Sequence, residues 1–160
     1  MENTATEDFF RSVATRYVPI SHTEAQPRFC RFDLEELTAQ LRQDIDTSQF
    51  CLLMETPTGK LLDNGGDGFF DDQALAFWVI RQVPQNDFAQ ERLTLSLARQ
   101  HGRNIVLKCR AEMPGLEPLN LSSVEYDKVG PIFNNCYGYR YSFVQPDQLD
   151  PRLDPADWNG

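Results

Sequence analysis

The chain has 160 residues, 41% of them hydrophobic and 11% aromatic, and its 15 basic and 24 acidic residues give a net charge of −9. This length fits one domain, since domains most often contain about 100–150 residues. The Lys and Arg residues are scattered singly, so the composition argues against binding to nucleic acid or to an anionic membrane surface. Acidity favours a soluble protein or one that binds a basic protein partner.

The cysteines and the N-terminus favour a reducing compartment. The N-terminal residues are acidic and lack the basic and apolar regions of a signal peptide. No apolar run approaches the roughly 20 residues of a membrane span. We therefore expect a cytoplasmic protein, or one incorporated in an assembled particle, whose four separated cysteines are reduced core residues: Cys30, Cys51, Cys109 and Cys136.

The first part of the chain predicts two helices. Phe9 and Val13 recur at helical spacing within residues 4–17. Asp33, with Glu36 three residues later, forms a capping-box pattern, so a second helix is expected over residues 33–46.

The middle of the chain predicts two strands and a long helix. Continuous apolar runs at residues 50–56 and 74–83 favour buried strands, with a polar loop at 63–72 between them. Asp87 is a candidate N-cap for a helix reaching about Glu112, whose inner stripe is Phe88, Leu95, Ala98, Gly102, Ile105, Cys109 and Met113. Gly102 on this stripe indicates close approach to the sheet. The alternative is a helix that ends at Gly102, followed by a strand from Ile105.

Residues 124–144 predict a closing pair of strands joined by a turn that contains Gly-Pro and Asn-Asn. A period of two places four rings on one face of the second strand, and we call these the aromatic ladder: Tyr137, Tyr139, Tyr141 and Phe143. Tyrosine keeps a polar tip and is enriched at interfaces, so the ladder is expected in the core or at a subunit contact. Arg140 falls on the opposite face, where a solvated surface side chain is the default expectation and pairing with a carboxylate of a partner is the alternative.

The predicted order is α-α-β-β-α-β-β. Strands that arrive as hairpins, with helices between them, indicate an α+β fold with an antiparallel or mixed four-stranded sheet and helices packed on one face. Residues 1–145 are expected to form this single domain. Residues 146–160 are acidic and Pro-rich, and are expected to be a C-terminal tail.

Few residues suggest catalysis or metal binding. Asp63, Asp67 and Asp71 fall at positions 1, 5 and 9 of a calcium-loop pattern, but position 3 is Gly65 and position 12 is Ala74. A flexible connection is therefore favoured over a metal site. The two histidines stand in no local signature of a catalytic pair. We expect a protein without catalytic residues, cofactor or metal.

The segment 50–144 resembles small structural proteins of phages and contractile injection systems, in particular those of the tail-terminator or tail-completion type. The resemblance is strongest over Tyr137-Gly-Tyr-Arg-Tyr-Ser-Phe143. It implies a small α+β domain that assembles as a ring on a tail tube, with itself and tube or sheath proteins as partners. It also implies no catalysis, and the aromatic ladder with Arg140 would then form the interface.

Two other hypotheses stay open at this stage. The net charge and the acidic loop would suit an immunity-like or inhibitor-like module that masks a basic partner. An enzyme that uses the Asp loop with a divalent metal is the third.

Overall fold

The computed structural model describes residues 3–33, 45–66, 68–115 and 118–160. Within these described residues, two α-helices and six β-strands follow in chain order: α1 (Asn3–Arg16), β1 (Phe29–Phe32), β2 (Cys51–Glu55), β3 (Thr58–Asp63), β4 (Phe69–Gln82), α2 (Phe88–Glu112), β5 (Glu125–Ile132) and β6 (Cys136–Gln148). Short 3-10 turns occupy Leu121–Ser123 and Pro155–Asp157. The helix expected at 33–46 falls on residues 34–44, which lie outside the described residues.

The six strands form one mixed sheet in the order β1-β2-β4-β6-β5, with β3 also paired to β4. β1 is parallel to β2, and every other pairing is antiparallel. The long strand β4 organises the sheet because its first half pairs with β3 and its second half pairs with β2. Along its whole length β4 pairs on the other side with β6.

Both helices pack on the same face of this sheet, so the predicted α+β class is confirmed. Phe10 of α1 lies against Phe77 of β4, with ring centroids 5.6 Å apart. α2 lies against Tyr141 of β6. One buried cluster joins the helices to the alternate strand residues of this face, including Leu52, Met54, Leu75, Val79 and Phe143.

The opposite face of the sheet carries a smaller buried cluster. Its members are Cys30, Phe32, Ile45, Cys51, Leu53, Trp78, Ile80 and Cys136. The two clusters divide the strand residues by parity, as alternation along a strand requires.

The sheet has six strands where four were predicted. β1 has only four residues and lies just before the second predicted helix, where no strand was predicted. The end of β3 and the first four residues of β4 occupy half of the predicted loop 63–72, so only the connection between Asp63 and Phe69 remains of it. Every residue of β3 is exposed, so the strand has no apolar alternation by which the sequence could reveal it.

The long helix is confirmed, and its N-cap is the predicted one. The Asp87 side chain accepts a hydrogen bond from the backbone N–H of Gln90 at 3.1 Å. The helix continues past Gly102, so the alternative of a strand from Ile105 is wrong. Phe88 was placed on the inner stripe, but it is 68% exposed because it starts the helix beyond the sheet.

The closing strand pair is also confirmed, but its turn lies further along the chain than expected. Gly130 and Pro131 belong to β5, where the register shifts between Val129 and Ile132. The chain reverses at residues 133–135 instead. β6 continues to Gln148, so the first three residues of the expected tail pair with β4.

Candidate functional site

Three side chains from three neighbouring strands meet on the sheet face opposite the helices, and we call them the charge cluster: Glu55 of β2, Trp78 of β4 and Arg140 of β6. Arg140 donates from Nε to Glu55 Oε1 at 2.6 Å and from its second nitrogen to Oε2 at 3.1 Å. Trp78 donates its indole N–H to Glu55 Oε1 at 2.6 Å. The strand order β2-β4-β6 places Trp78 between the two charges, which explains why all three meet.

The charge cluster is held by hydrogen bonds and is largely shielded from water. Glu55 is only 7% exposed, so its charge requires the three hydrogen bonds that it accepts. The hydrogen bond to Glu55 raises the pKa of Arg140 above its ordinary value, and Asp127, its cross-strand neighbour on β5, acts in the same direction. The cluster therefore forms a fixed bidentate ion pair, which suits structure better than proton transfer.

The sequence placed Arg140 on the face opposite the aromatic ladder, and the registers confirm this. Its carboxylate partner is Glu55 of the same chain, whereas the sequence suggested a carboxylate of another protein. Sequence reasoning missed Glu55 because it ends an apolar run. An acidic residue at the end of a buried strand was the available signal, since a buried carboxylate requires donors.

A cleft of about 680 Å³ opens beside the charge cluster. Hydroxyl side chains and small residues line much of it, and Asp33 and Glu125 contribute exposed carboxylates. Its polar lining belongs to Asp33, Glu55, Thr56, Thr58, Ser123, Glu125, Arg140 and Ser142. The lining contains more acids than bases, so this cleft would repel an anionic ligand.

The aromatic ladder is divided between core and surface. Tyr141 and Phe143 are 1% and 3% exposed, and Tyr141 stacks on Phe77 with centroids 5.3 Å apart. The Tyr141 hydroxyl donates to the carbonyl of Arg99 at 2.8 Å, and burial raises its pKa to about 12. These two rings serve the core of this chain. Tyr137 and Tyr139 are half-buried and keep the interface prediction open.

Two acidic residues of the candidate metal loop, Asp63 and Asp71, belong to the β3–β4 hairpin. The Asp63 carboxylate accepts the backbone N–H of Gly65 at 2.8 Å, which is a turn interaction. Asp71 lies inside β4, opposite Leu61 of β3. Asp67 falls outside the described residues. Within the part of the chain that the structure describes, no group of three or more His, Cys, Asp or Glu residues is placed to hold a metal ion.

The four cysteines are buried thiols that form no disulfide. Burial raises the pKa of Cys109 to about 12 and that of Cys136 to about 11. Cys51 donates its S–H to the carbonyl of Asp46 at 2.8 Å, and burial raises its pKa as well. At neutral pH these three thiols are protonated, so none is poised as a nucleophile.

β3 and the start of β4 form a hairpin within residues 58–74, which we call the β3 arm. Every residue of β3 is exposed, with Leu61 at 68% and Leu62 at 39%. Among the described residues, β3 pairs only with β4, so its other edge presents unpaired backbone groups. An exposed edge strand that carries leucines is a template for pairing with another strand.

No family model, no curated protein and no solved structure matches this chain significantly. Within the described ranges, neither helix is both long and apolar enough to cross a membrane.

Proposed function

We propose that this protein is a non-catalytic assembly protein of a phage-like or contractile tail, of the tail-terminator type, that forms a ring on the tail tube. Its partners would be further copies of itself and tube or sheath proteins, with no nucleic acid and no membrane. It would act in the cytoplasm or within the assembled particle. One observation carries the proposal, which is the β3 arm with its exposed edge and exposed leucines.

An edge strand that stays uncovered exposes unpaired backbone N–H and C=O groups, which makes it a site of association. Natural proteins protect long edge strands by shortening them, by charging them or by covering them. β3 has six residues and carries Leu61 and Leu62 at its centre. Burying one such leucine stabilises a contact by about 1.5–3 kcal/mol. Covering the β3 arm with another strand would therefore stabilise it by burying its leucines and pairing its backbone groups.

The state of the reactive side chains is consistent with an assembly role. The Glu55–Arg140 ion pair is locked by its own hydrogen bonds. The thiols of Cys51, Cys109 and Cys136 are buried with raised pKa values. Among the described residues, the exposed strand edge is thus a stronger functional feature than any cluster of reactive groups.

The test is the absolute mass in solution, measured by light scattering after size exclusion across a concentration series. We expect one discrete multiple of the 18.4 kDa chain. Leu61→Asp should weaken assembly at least tenfold, because it places a charge in the contact. Leu93→Asp is the matched control, since Leu93 is 50% exposed on α2, away from the arm.

A wild-type chain that stays monomeric at the highest concentration reached would contradict the proposal and favour the acidic-partner hypothesis. Equal weakening by Leu61→Asp and Leu93→Asp would show that the arm is not the contact.

A further inference from the structure

α2 brings together basic residues that are scattered along the sequence. Four arginines of this helix follow one another at intervals of seven, four and seven residues. At 3.6 residues per turn, these intervals place them within about 40° of one another around the helix. All four are exposed, and we call them the arginine stripe: Arg92, Arg99, Arg103 and Arg110. At 1.5 Å per residue, the stripe extends over about 27 Å.

The arginine stripe lies beside β5. The Tyr141 hydroxyl donates to the backbone carbonyl of Arg99 at 2.8 Å, and the ring of Tyr126 on β5 stacks on the Tyr141 ring with centroids 5.4 Å apart. Tyr126 is 49% exposed. Lys128 lies two residues further along β5, on the same face of the sheet, where it pairs with Tyr139. The stripe, Tyr126 and Lys128 therefore border one surface, which we call the basic surface.

The carboxylates of α2 and β5 point away from the basic surface. Glu112, at the end of α2, forms its ion pairs with Lys108 and with a residue of α1. Glu91 lies about 100° around the helix from the first stripe arginine. Glu125 and Asp127 alternate with the basic-surface residues of β5, so they lie on the opposite face of the sheet. The positive charge of the surface is therefore not neutralised by its own elements.

Three arginines of the stripe keep unpaired charges. In the part of the chain that the structure describes, Arg92, Arg99 and Arg103 form no ion pair. Arg110 donates to the carbonyl of Leu119 at 3.1 Å. The chain as a whole has a net charge of −9. Carboxylates of another molecule are thus attracted to the basic surface and repelled by the rest of the protein.

We infer that the basic surface binds an acidic segment of a partner protein, whose carboxylates pair with Arg92, Arg99 and Arg103 and whose apolar side chains contact Tyr126. At about 3.3 Å per residue, about eight extended residues cover the length of the stripe. The planar guanidinium group matches a carboxylate with two parallel hydrogen bonds, and Arg and Tyr are enriched in protein interfaces. This inference goes beyond the ring and does not require it.

A short protein segment suits the basic surface better than a nucleic acid does. A phosphate backbone longer than the stripe also meets the acidic remainder of the chain, which repels it. Two exposed leucines stand on the outward side of α2 next to the stripe, Leu93 at 50% and Leu107 at 54%. Leucines suit the apolar side chains of a peptide, whereas phosphates gain nothing from them.

The experiment measures the fluorescence anisotropy of a labelled eight-residue peptide, made of six glutamates and two leucines, at low salt. We expect the wild-type chain to bind this peptide. The double variant Arg99→Glu/Arg103→Glu should weaken the binding by about tenfold or more, because it reverses two charges at the centre of the stripe. The melting temperature of the variant checks that it folds, since both residues are exposed.

The matched control is Lys60→Glu/Arg152→Glu, which changes the net charge by the same amount at two exposed positions outside the basic surface. It should weaken the binding by less than about threefold, because distant exposed charges are screened. A wild-type chain that does not bind the peptide, or equal weakening by the two double variants, would overturn the inference.

Two further measurements separate other occupants of the basic surface. Tighter binding of a single-stranded oligonucleotide of eight residues than of the peptide would overturn the inference and assign the surface to nucleic acid. Loss of self-assembly in Arg99→Glu/Arg103→Glu, but not in the control, would overturn it in favour of a second copy of this chain. Failure of the peptide to bind leaves the ring proposal standing, because the mass in solution is measured without the peptide.

Discussion

Gly102 stands where α2 passes closest to the sheet. A Cβ built on Gly102 would overlap the ring of Tyr141, which is itself held by stacking on Phe77 and by its hydrogen bond to Arg99. The glycine thus sets the distance between helix and sheet. A glycine in the middle of a helix lowers the stability of the helix by about 1 kcal/mol relative to alanine. Here the glycine also allows the close contact between α2 and the sheet.

Gly102→Ala should therefore destabilise the protein by about 1–3 kcal/mol, against the usual gain of alanine in a helix. The measurement is the free energy of unfolding in urea. Ser96→Ala, at an exposed position of α2, is the control and should be neutral or slightly stabilising. If the Gly102→Ala variant is more stable than the wild type, α2 and the sheet can move apart without lowering the free energy of unfolding, and this prediction is wrong.

The two histidines each use Nδ1 within the fold. Nδ1 of His22 accepts the backbone N–H of Arg28 at 2.9 Å. His101 Nδ1 and the Tyr17 hydroxyl are hydrogen bonded at 2.8 Å, and Asn104 donates to the same hydroxyl. Burial lowers the pKa of both histidines from their ordinary value near 6.5. The neutral ring is therefore the folded form.

A lowered pKa has a definite consequence for stability. The unfolded chain binds protons more tightly at both histidines, so their contribution is present above about pH 6.5 and is lost as the pH falls through the folded pKa values. The melting temperature should decrease from pH 7 to pH 5. The double variant His22→Asn/His101→Asn should flatten this decrease, because asparagine keeps an acceptor without titrating. An unchanged slope in the double variant would contradict this assignment.

At the scale of elements, the charge cluster ties β2 to β6 across β4. Removing one partner of a buried ion pair is strongly destabilising, since the other charge stays buried without its counterion. Arg140→Met should lower the free energy of unfolding by about 3 kcal/mol. Arg92→Met, on the exposed face of α2, is the control and should change it by less than about 0.5 kcal/mol.

Adding Glu55→Gln to Arg140→Met should recover part of the loss, because the amide needs no counterion. Equal stability of Arg140→Met and the wild type would show that Glu55 does not depend on Arg140.

The elements differ in how far the sequence could reveal them. The N-cap residue Asp87 and the helical spacing of the apolar residues up to Cys109 were sufficient to predict α2, because both signals are local in the sequence. β3 was not predictable, because an exposed strand has no buried face to impose alternation. The Glu55–Arg140 pair joins residues far apart in the chain, so it required knowing that β2, β4 and β6 are neighbours.

At the scale of the whole molecule, the net charge of −9 opposes association of identical chains. Salt screens this repulsion, since the Debye length falls from about 10 Å at 0.1 M to about 3 Å at 1 M. Assembly should therefore be stronger at high salt.

The measurement is the fraction of assembled chain in sedimentation velocity runs at low and high sodium chloride. Weaker assembly at high salt would contradict a contact dominated by strand pairing and leucine burial. It would indicate instead that attraction between opposite charges drives the association.

The proposed function requires a closed ring built from one repeated contact that includes the β3 arm. Electron microscopy of the purified protein tests for this ring, because a head-to-tail contact that does not close produces filaments. We expect closed rings with a central opening and the same number of copies in every particle. Open filaments of varying length, or single chains only, would contradict it.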